Sequence, residues 1–139
     1  MGAGLTKILV VDDHDLVRMG IVRMLADIDG YQVVGDAKSG EEAVTKARTL
    51  LPDVVLMDVK MPGMGGLEAT KKLLVVNPTL KIIAVTACDD DLYPTRLMQA
   101  GAVGYVTKGA EFSEITSAID KVMRGDLYMG NSIAQQLAL

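Results

Sequence analysis

Five residues of this chain offer acid, hydroxyl and ammonium groups in a combination that suits phosphoryl transfer: Asp12, Asp13, Asp58, Thr86 and Lys108. Three carboxylates gathered within several ångströms repel one another by about 1–4 kcal/mol per close pair, at effective dielectrics between water and a protein surface. Either one of them keeps its proton or a cation joins them. A few hard oxygen ligands with room for water suit Mg²⁺. A metal ion beside Asp58 would draw in a phosphoryl group and neutralise the charge developing during its transfer. Lys108 would then pair with one phosphoryl oxygen as a point charge, and Thr86 would donate its hydroxyl to another. Asp58 completes the set as a carboxylate nucleophile.

Each residue also has a plainer reading. Asp12 or Asp13 could simply cap the helix that follows. Asp58, ahead of Val59-Lys60-Met61-Pro62-Gly63, could be a turn former, and Thr86 and Lys108 taken singly suit a solvated surface. The functional reading gains from the elements that must carry these residues. Ile8-Leu9-Val10-Val11, Val54-Val55-Leu56-Met57, Ile82-Ile83-Ala84-Val85 and Gly104-Tyr105-Val106 are continuous apolar runs rich in β-branched residues. Such runs mark strands buried on both faces of a parallel sheet. Asp12-Asp13, Asp58, Thr86 and Lys108 stand at or just past the ends of these four strands. In open α/β sheets, ligands collect beyond the carboxyl ends of the strands. A fifth run, Gln32-Val33-Val34-Gly35, is shorter and more mixed, as an edge strand would be, and delivers no obvious site residue.

Helical spacing fills the intervals. Over Leu16 to Ile28, apolar positions 17, 21, 24, 25 and 28 form one stripe, with Arg18, Arg23 and Asp27 off it. Ser39 is a candidate N-cap, and Glu42 three residues on completes a capping box for a helix running to about Leu50. Further helices are predicted over Leu67 to Val76, stopped by Asn77-Pro78, and over Asp90 to Ala100, closed by Gly101. The last runs from Ser113 to about Arg124. Strand and helix thus alternate five times, which predicts a three-layer α/β sandwich around a parallel sheet.

The 139 residues are 50% hydrophobic, enough for one domain with a single core. Cys88 is the only cysteine, so no internal disulfide forms, which suits a reducing cytoplasm. No apolar run approaches the roughly 18 residues that span a bilayer, so no membrane partner is expected. A net charge of −4 argues against direct nucleic-acid binding by this segment. The opening Met1-Gly2-Ala3-Gly4-Leu5-Thr6 fits the myristoylation pattern, but a strand from Lys7 leaves little spacer, and it reads better as an ordinary start. His14, beside the acidic pair, reads as a helix-start residue in preference to a metal ligand. The nine methionines read as core filler.

Val10-Val11-Asp12-Asp13, Leu56-Met57-Asp58-Val59-Lys60-Met61-Pro62-Gly63, Val85-Thr86-Ala87 and Gly104-Tyr105-Val106-Thr107-Lys108 resemble the signature blocks of response-regulator receiver domains. The likeness runs from Lys7 to about Gly125. Asp12-Asp13-His14-Asp15-Leu16-Val17-Arg18, Gly65-Gly66-Leu67-Glu68-Ala69-Thr70 and Met98-Gln99-Ala100-Gly101-Ala102 resemble the receivers of GacA/UvrY-type regulators in the NarL/LuxR class. The resemblance implies a flavodoxin-like (βα)5 fold with sheet order 2-1-3-4-5. It implies phosphorylation of Asp58 from the phosphohistidine of a sensor histidine kinase or phosphotransfer domain. Mg²⁺, or Mn²⁺ in its place, would be held by Asp13, Asp58 and the Lys60 carbonyl, with Asp12 helping through water. Thr86 and Tyr105 would form the switch, and Lys60 and Cys88 would tune the lifetime of the aspartyl phosphate. Turnover would be limited to self-phosphorylation and slow autodephosphorylation, with no separate substrate.

The resulting plan is an extension over residues 1–6, a receiver over 7–125, and over 126–139 the start of a linker to a DNA-binding output domain. Ile133-Ala134-Gln135-Gln136-Leu137-Ala138-Leu139 resembles that linker. Homodimerisation on phosphorylation is a further implied partner state. Many receivers carry a cis proline after the strand-five lysine; here Gly109 stands there, leaving that peptide's geometry open. Three alternatives stand against this reading. A stand-alone relay would lack the output domain. A flavodoxin-like electron carrier would need flavin-stacking aromatics, which are scarce, and a hydroxyl-rich phosphate loop where Asp12-Asp13 stand. An Asp-nucleophile phosphatase would show Asp-x-Asp where Asp58-Val59-Lys60 has lysine.

Overall fold

The structure, a computed structural model, describes residues 4–86, 92–108 and 112–130. Cys88, the Lys108-Gly109 peptide, the Met1-Gly2-Ala3 start and the 133–139 stretch lie outside the described residues. Strands and helices alternate as β1 (Thr6–Val11), α1 (Asp15–Ala26), β2 (Tyr31–Ala37), α2 (Gly40–Leu50), β3 (Val54–Asp58), α3 (Gly66–Val76), β4 (Lys81–Thr86), α4 (Leu92–Ala100), β5 (Gly104–Thr107) and α5 (Phe112–Met123). A two-residue strand, β6 (Tyr128–Met129), follows. The sheet is parallel throughout, in the order β2-β1-β3-β4-β5-β6. The expected 2-1-3-4-5 arrangement therefore holds, with β6 added beside β5.

The apolar runs are buried because helices cover both sheet faces. Ile8, Val10, Val54 and Leu56 pack with Ile21 and Leu25 of α1 and Ile115 and Ile119 of α5. Their neighbours Leu9, Val11, Val55 and Met57 point the other way, against Ala43 and Ala47 of α2 and Ala69 and Leu73 of α3. A third cluster unites Val59, Ala84, Leu97 of α4, Ala102 and Tyr105.

Local signals set most element ends. The Ser39 hydroxyl accepts from the Glu42 N–H at 3.1 Å, while the Glu42 carboxylate accepts from the Lys38 N–H at 2.6 Å, one residue upstream of the usual capping-box partner. Gly101, at φ +111°, closes α4 in a conformation that disfavours a side chain. Helix α1 departs from its predicted stripe. Val17 and Met24 are exposed, whereas Arg18 is only 4% exposed and lines up with Ile21, Val22 and Leu25 on the packed face. A charged residue is expected in solvent by type, but this guanidinium finds three oxygen partners, the Asp12 carbonyl and the carboxylates of Asp15 and Asp36. β6, too short to show a periodicity, is held by Tyr128 N–H to Val103 O and Gly130 N–H to Tyr105 O, each 2.9 Å.

Candidate functional site

A parallel sheet directs every strand's carboxyl end to one edge, and this edge gathers the predicted residues. Asp12 follows β1, Asp58 ends β3, Thr86 ends β4 and Lys108 follows β5. Pairing brings Val11 opposite Met57, Asp58 opposite Val85, and Thr86 opposite Thr107. The Lys108 N–H also donates to the Thr86 carbonyl at 2.8 Å, which locks the two strand ends together. Lys108 Nζ lies 3.1 Å from Asp12 Oδ2 and 3.4 Å from Asp58 Oδ2. Asp12, Asp58 and Thr86 are all buried.

One ligand atom from each of Asp12, Asp13, His14 and Asp58 falls within 4.8 Å of the others. Asp58 Oδ2 and Asp13 Oδ1 are buried and accept no hydrogen bond. Their nearest cationic neighbours are Lys108 Nζ, 3.4 Å from Asp58 Oδ2, and the His14 ring, 3.2 Å from Asp13 Oδ1, so a cation between the carboxylates would relieve a costly burial. The pocket's oxygens are hard donors of the kind Mg²⁺ prefers, and the residues present fit that ion. The electrostatics agree. Burial, followed by the neighbouring Asp12 charge, pushes the Asp58 carboxyl up to about 6, against the opposing pull of Lys108.

The backbone at the nucleophile is confined. Asp58 leads into the loop carrying Lys60, and Gly66 closes that loop with an N–H bond to Val59 O at 2.9 Å. A Cβ at Gly66 would lie 2.5 Å from the Asp58 carbonyl oxygen, so only glycine permits this approach. Lys60 is exposed, two residues beyond Asp58. Tyr105 is 1% exposed, beside Ala84 and Leu97.

Sequence reasoning missed part of the support. Arg18 donates from its Nη1 to the Asp12 carbonyl at 3.0 Å, and it pairs with Asp36 Oδ2 at 2.6 Å and Asp15 Oδ1 at 2.8 Å. The edge strand β2 therefore does serve the site, through Asp36. No periodicity signals this, because the link crosses from α1 to β2. His14 is indeed the N-cap residue of α1, yet its side chain makes no capping bond. Its Nδ1 sits 3.1 Å from Asp12 Oδ1, 3.2 Å from Asp13 Oδ1 and 3.4 Å from Lys108 Nζ.

A doubly wound sheet with an acidic pocket and a lysine at its carboxyl edge defines a class, and the comparisons agree with it. The chain belongs to the response regulator receiver domain family, which matches residues 8–120. Such domains are the signalling receivers of two-component response regulators. The response regulator GacA of Pseudomonas syringae pv. syringae is 66% identical over 133 residues, covering 96% of this chain and 62% of that protein. The response regulator UvrY of Escherichia coli is 52% identical over 133 residues, covering 96% of this chain and 61% of that protein. The chain thus spans less than two thirds of these relatives. A LuxR-family two-component response regulator from Aurantimonas sp. superposes with a TM-score of 0.92 at 36% identity, covering 97% of this chain and 96% of that one. The isolated receiver domain of RcsB from Salmonella enterica, with phosphomimetic BeF3−, shares the fold at 22% identity and a TM-score of 0.87, covering 96% and 99% of the two chains. Among the described residues, no helix is long and apolar enough to cross a membrane.

Proposed function

We propose that Asp58 is the phosphoacceptor of a cytoplasmic response regulator, and that its phosphorylation controls an attached output domain. The observation that carries this reading is the convergence of Asp12, Asp13 and Asp58 on one pocket, with Lys108 3.1 Å from Asp12 and 3.4 Å from Asp58. The donor is a phosphohistidine on a histidine kinase or phosphotransfer domain. A carboxylate oxygen of Asp58 forms a bond to phosphorus as the phosphorus–imidazole nitrogen bond breaks. The imidazole nitrogen leaves with the bonding pair and takes up a proton. An Asp58 carboxyl titrating near 6 is mostly ionised at neutral pH and can act as this nucleophile.

Asp12, Asp13, Asp58 and the Lys60 carbonyl would hold Mg²⁺ or Mn²⁺. When bound, the ion offsets the negative charge of the phosphoryl oxygens. Lys108, already against Asp58, moves to a phosphoryl oxygen, and the Thr86 hydroxyl donates to another. Burial of Tyr105 beside Ala84 supports a coupled Thr86–Tyr105 switch, in which the ring fills space that Thr86 vacates. Lys60 and Cys88 set how fast water removes the phosphoryl group, the only turnover expected. Residues 7–125 form the receiver, and 126–139 begin a linker toward a DNA-binding domain, with homodimerisation on phosphorylation. The 61–62% coverage of the relatives supports a further domain.

The test is incubation with Mg²⁺ and acetyl phosphate, read by intact mass. A single phosphoryl adduct should appear on the native chain and be absent from Asp58→Ala. An adduct that persists in Asp58→Asn and Asp58→Ala would overturn the assignment.

A further inference from the structure

β6 joins the sheet with only two residues, fewer than strands usually have. Both of its faces are nevertheless anchored. Met129 stands opposite Tyr105 in the ladder and packs against the cluster of Tyr105, Ala84 and Leu97. Tyr128 turns the other way, onto the cluster that holds Ile115 and Ile119 of α5, with Lys121 Nζ 5.6 Å from its ring centroid. We propose that β6 is a strap whose docking on β5 is coupled to the phosphorylation site, so that a phosphoryl group on Asp58 tightens it and passes that state to the residues beyond Gly130. The inference rests on the reading of Asp58 as phosphoacceptor and Tyr105 as its switch.

Two features suit β6 to this task. It is weakly held, because its backbone is tied by Tyr128 N–H to Val103 O and Gly130 N–H to Tyr105 O. Segments with so few ladder bonds open at the low end of local stability, so a small bias moves the population between docked and released forms. It is also tied to the very residue that switches. Tyr105 is 1% exposed, and Met129 lies beside it on the same face of the sheet. Because β6 lies along the outer edge of β5, a ring swung outward enters the space that Met129 holds. A buried ring and a docked β6 therefore favour each other.

β5 connects the strap to the site. It bears Tyr105 beside Met129 and, just past its end, delivers Lys108 to Asp12 and Asp58 at 3.1 and 3.4 Å. Tyr105 pairs with Ala84, two residues before Thr86, and the Lys108 N–H holds the Thr86 carbonyl. Movement of Thr86 and Lys108 onto a phosphoryl group thus acts on β4 and β5 together and keeps the Tyr105 ring inside. Linkage makes the effect reciprocal: a docked β6 strengthens the site's hold on a phosphoryl-like anion by the factor by which that anion strengthens docking.

The test uses the full chain with Mg²⁺ and phosphomimetic BeF3−. Hydrogen exchange at the Tyr128 and Gly130 amides is followed by NMR without BeF3− and at saturation. Protection of both should rise about five-fold or more, the lower end of the range usual for coupled sites. Met129→Asp sets a charge in the apolar cluster and releases β6. Its BeF3− affinity, read by fluorine NMR, should fall by about the same factor as the protection rises, whereas Met129→Leu should stay near native. Unchanged protection at saturation, or equal BeF3− affinity in the native chain and Met129→Asp, would overturn the inference while BeF3− binding itself stands. If the native chain binds no BeF3−, the phosphoacceptor reading fails and the strap with it. The exchange measurement needs no variant, so misfolding of Met129→Asp cannot shield the proposal.

Discussion

Replacing the Asp58 carboxylate by its neutral isostere should stabilise the protein when no divalent ion is present. The carboxyl ordinarily ionises near 3.8 and here near 6, because it is buried and faces Asp12. At about 1.4 kcal/mol per pH unit of displacement, ionised Asp58 costs the folded state about 3 kcal/mol. The direction is opposite to that of a salt-bridged aspartate. Below about pH 4 the carboxyl is protonated in both folded and unfolded chains, and the cost is absent. Between about pH 4 and 6 the folded chain holds the extra proton, so native stability falls as pH rises. Above that window the full cost remains. Asp58→Asn should therefore unfold about 2–3 kcal/mol later than the native protein at pH 7.5, and the difference should vanish near pH 4. Urea titration followed by far-UV circular dichroism suits a chain with no tryptophan. Mg²⁺ should narrow the gap at pH 7.5 by binding the native pocket more tightly than the variant. A variant no more stable than the native chain at pH 7.5, or a difference independent of pH, would refute the account of the pocket.

Two further substitutions test its supports. Gly66→Ala would set a methyl group 2.5 Å from the Asp58 carbonyl oxygen and 2.8 Å from Val59 Cα, so β3 must shift. We expect a loss of about 1–3 kcal/mol in urea unfolding together with slower acetyl-phosphate labelling. Arg18→Met keeps the buried stem but removes the donor to Asp12 O and the partner of Asp36. A loss of about 1–3 kcal/mol should follow, with weaker Mg²⁺ binding measured by calorimetry. Unchanged Mg²⁺ affinity would reduce Arg18 to a packing residue.

Much of this protein could be read before its coordinates. Strands buried on both faces cannot alternate polar and apolar residues, so β1, β3, β4 and β5 announced themselves as unbroken apolar runs. Residues at the carboxyl ends of parallel strands share one edge by topology alone, which is why Asp12, Asp58, Thr86 and Lys108 could be grouped without any distance. Ser39, Pro78 and Gly101 act within a turn of their own positions, so the helix ends they govern were equally legible. Tertiary structure decided the rest, because its causes lie between segments distant in the chain. Arg18 is polar by type and buried by circumstance, since Asp36 and the Asp12 carbonyl meet it only once β2 lies beside β1. β6 exists because β5 offers it a free edge to pair with, a preference two residues cannot encode. The His14 ring, which makes no capping bond, meets Lys108 only because β5 ends at the same edge as β1. Local sequence chose the elements and their ends; the juxtaposition of β1, β2, β3 and β5 chose which charges must live together.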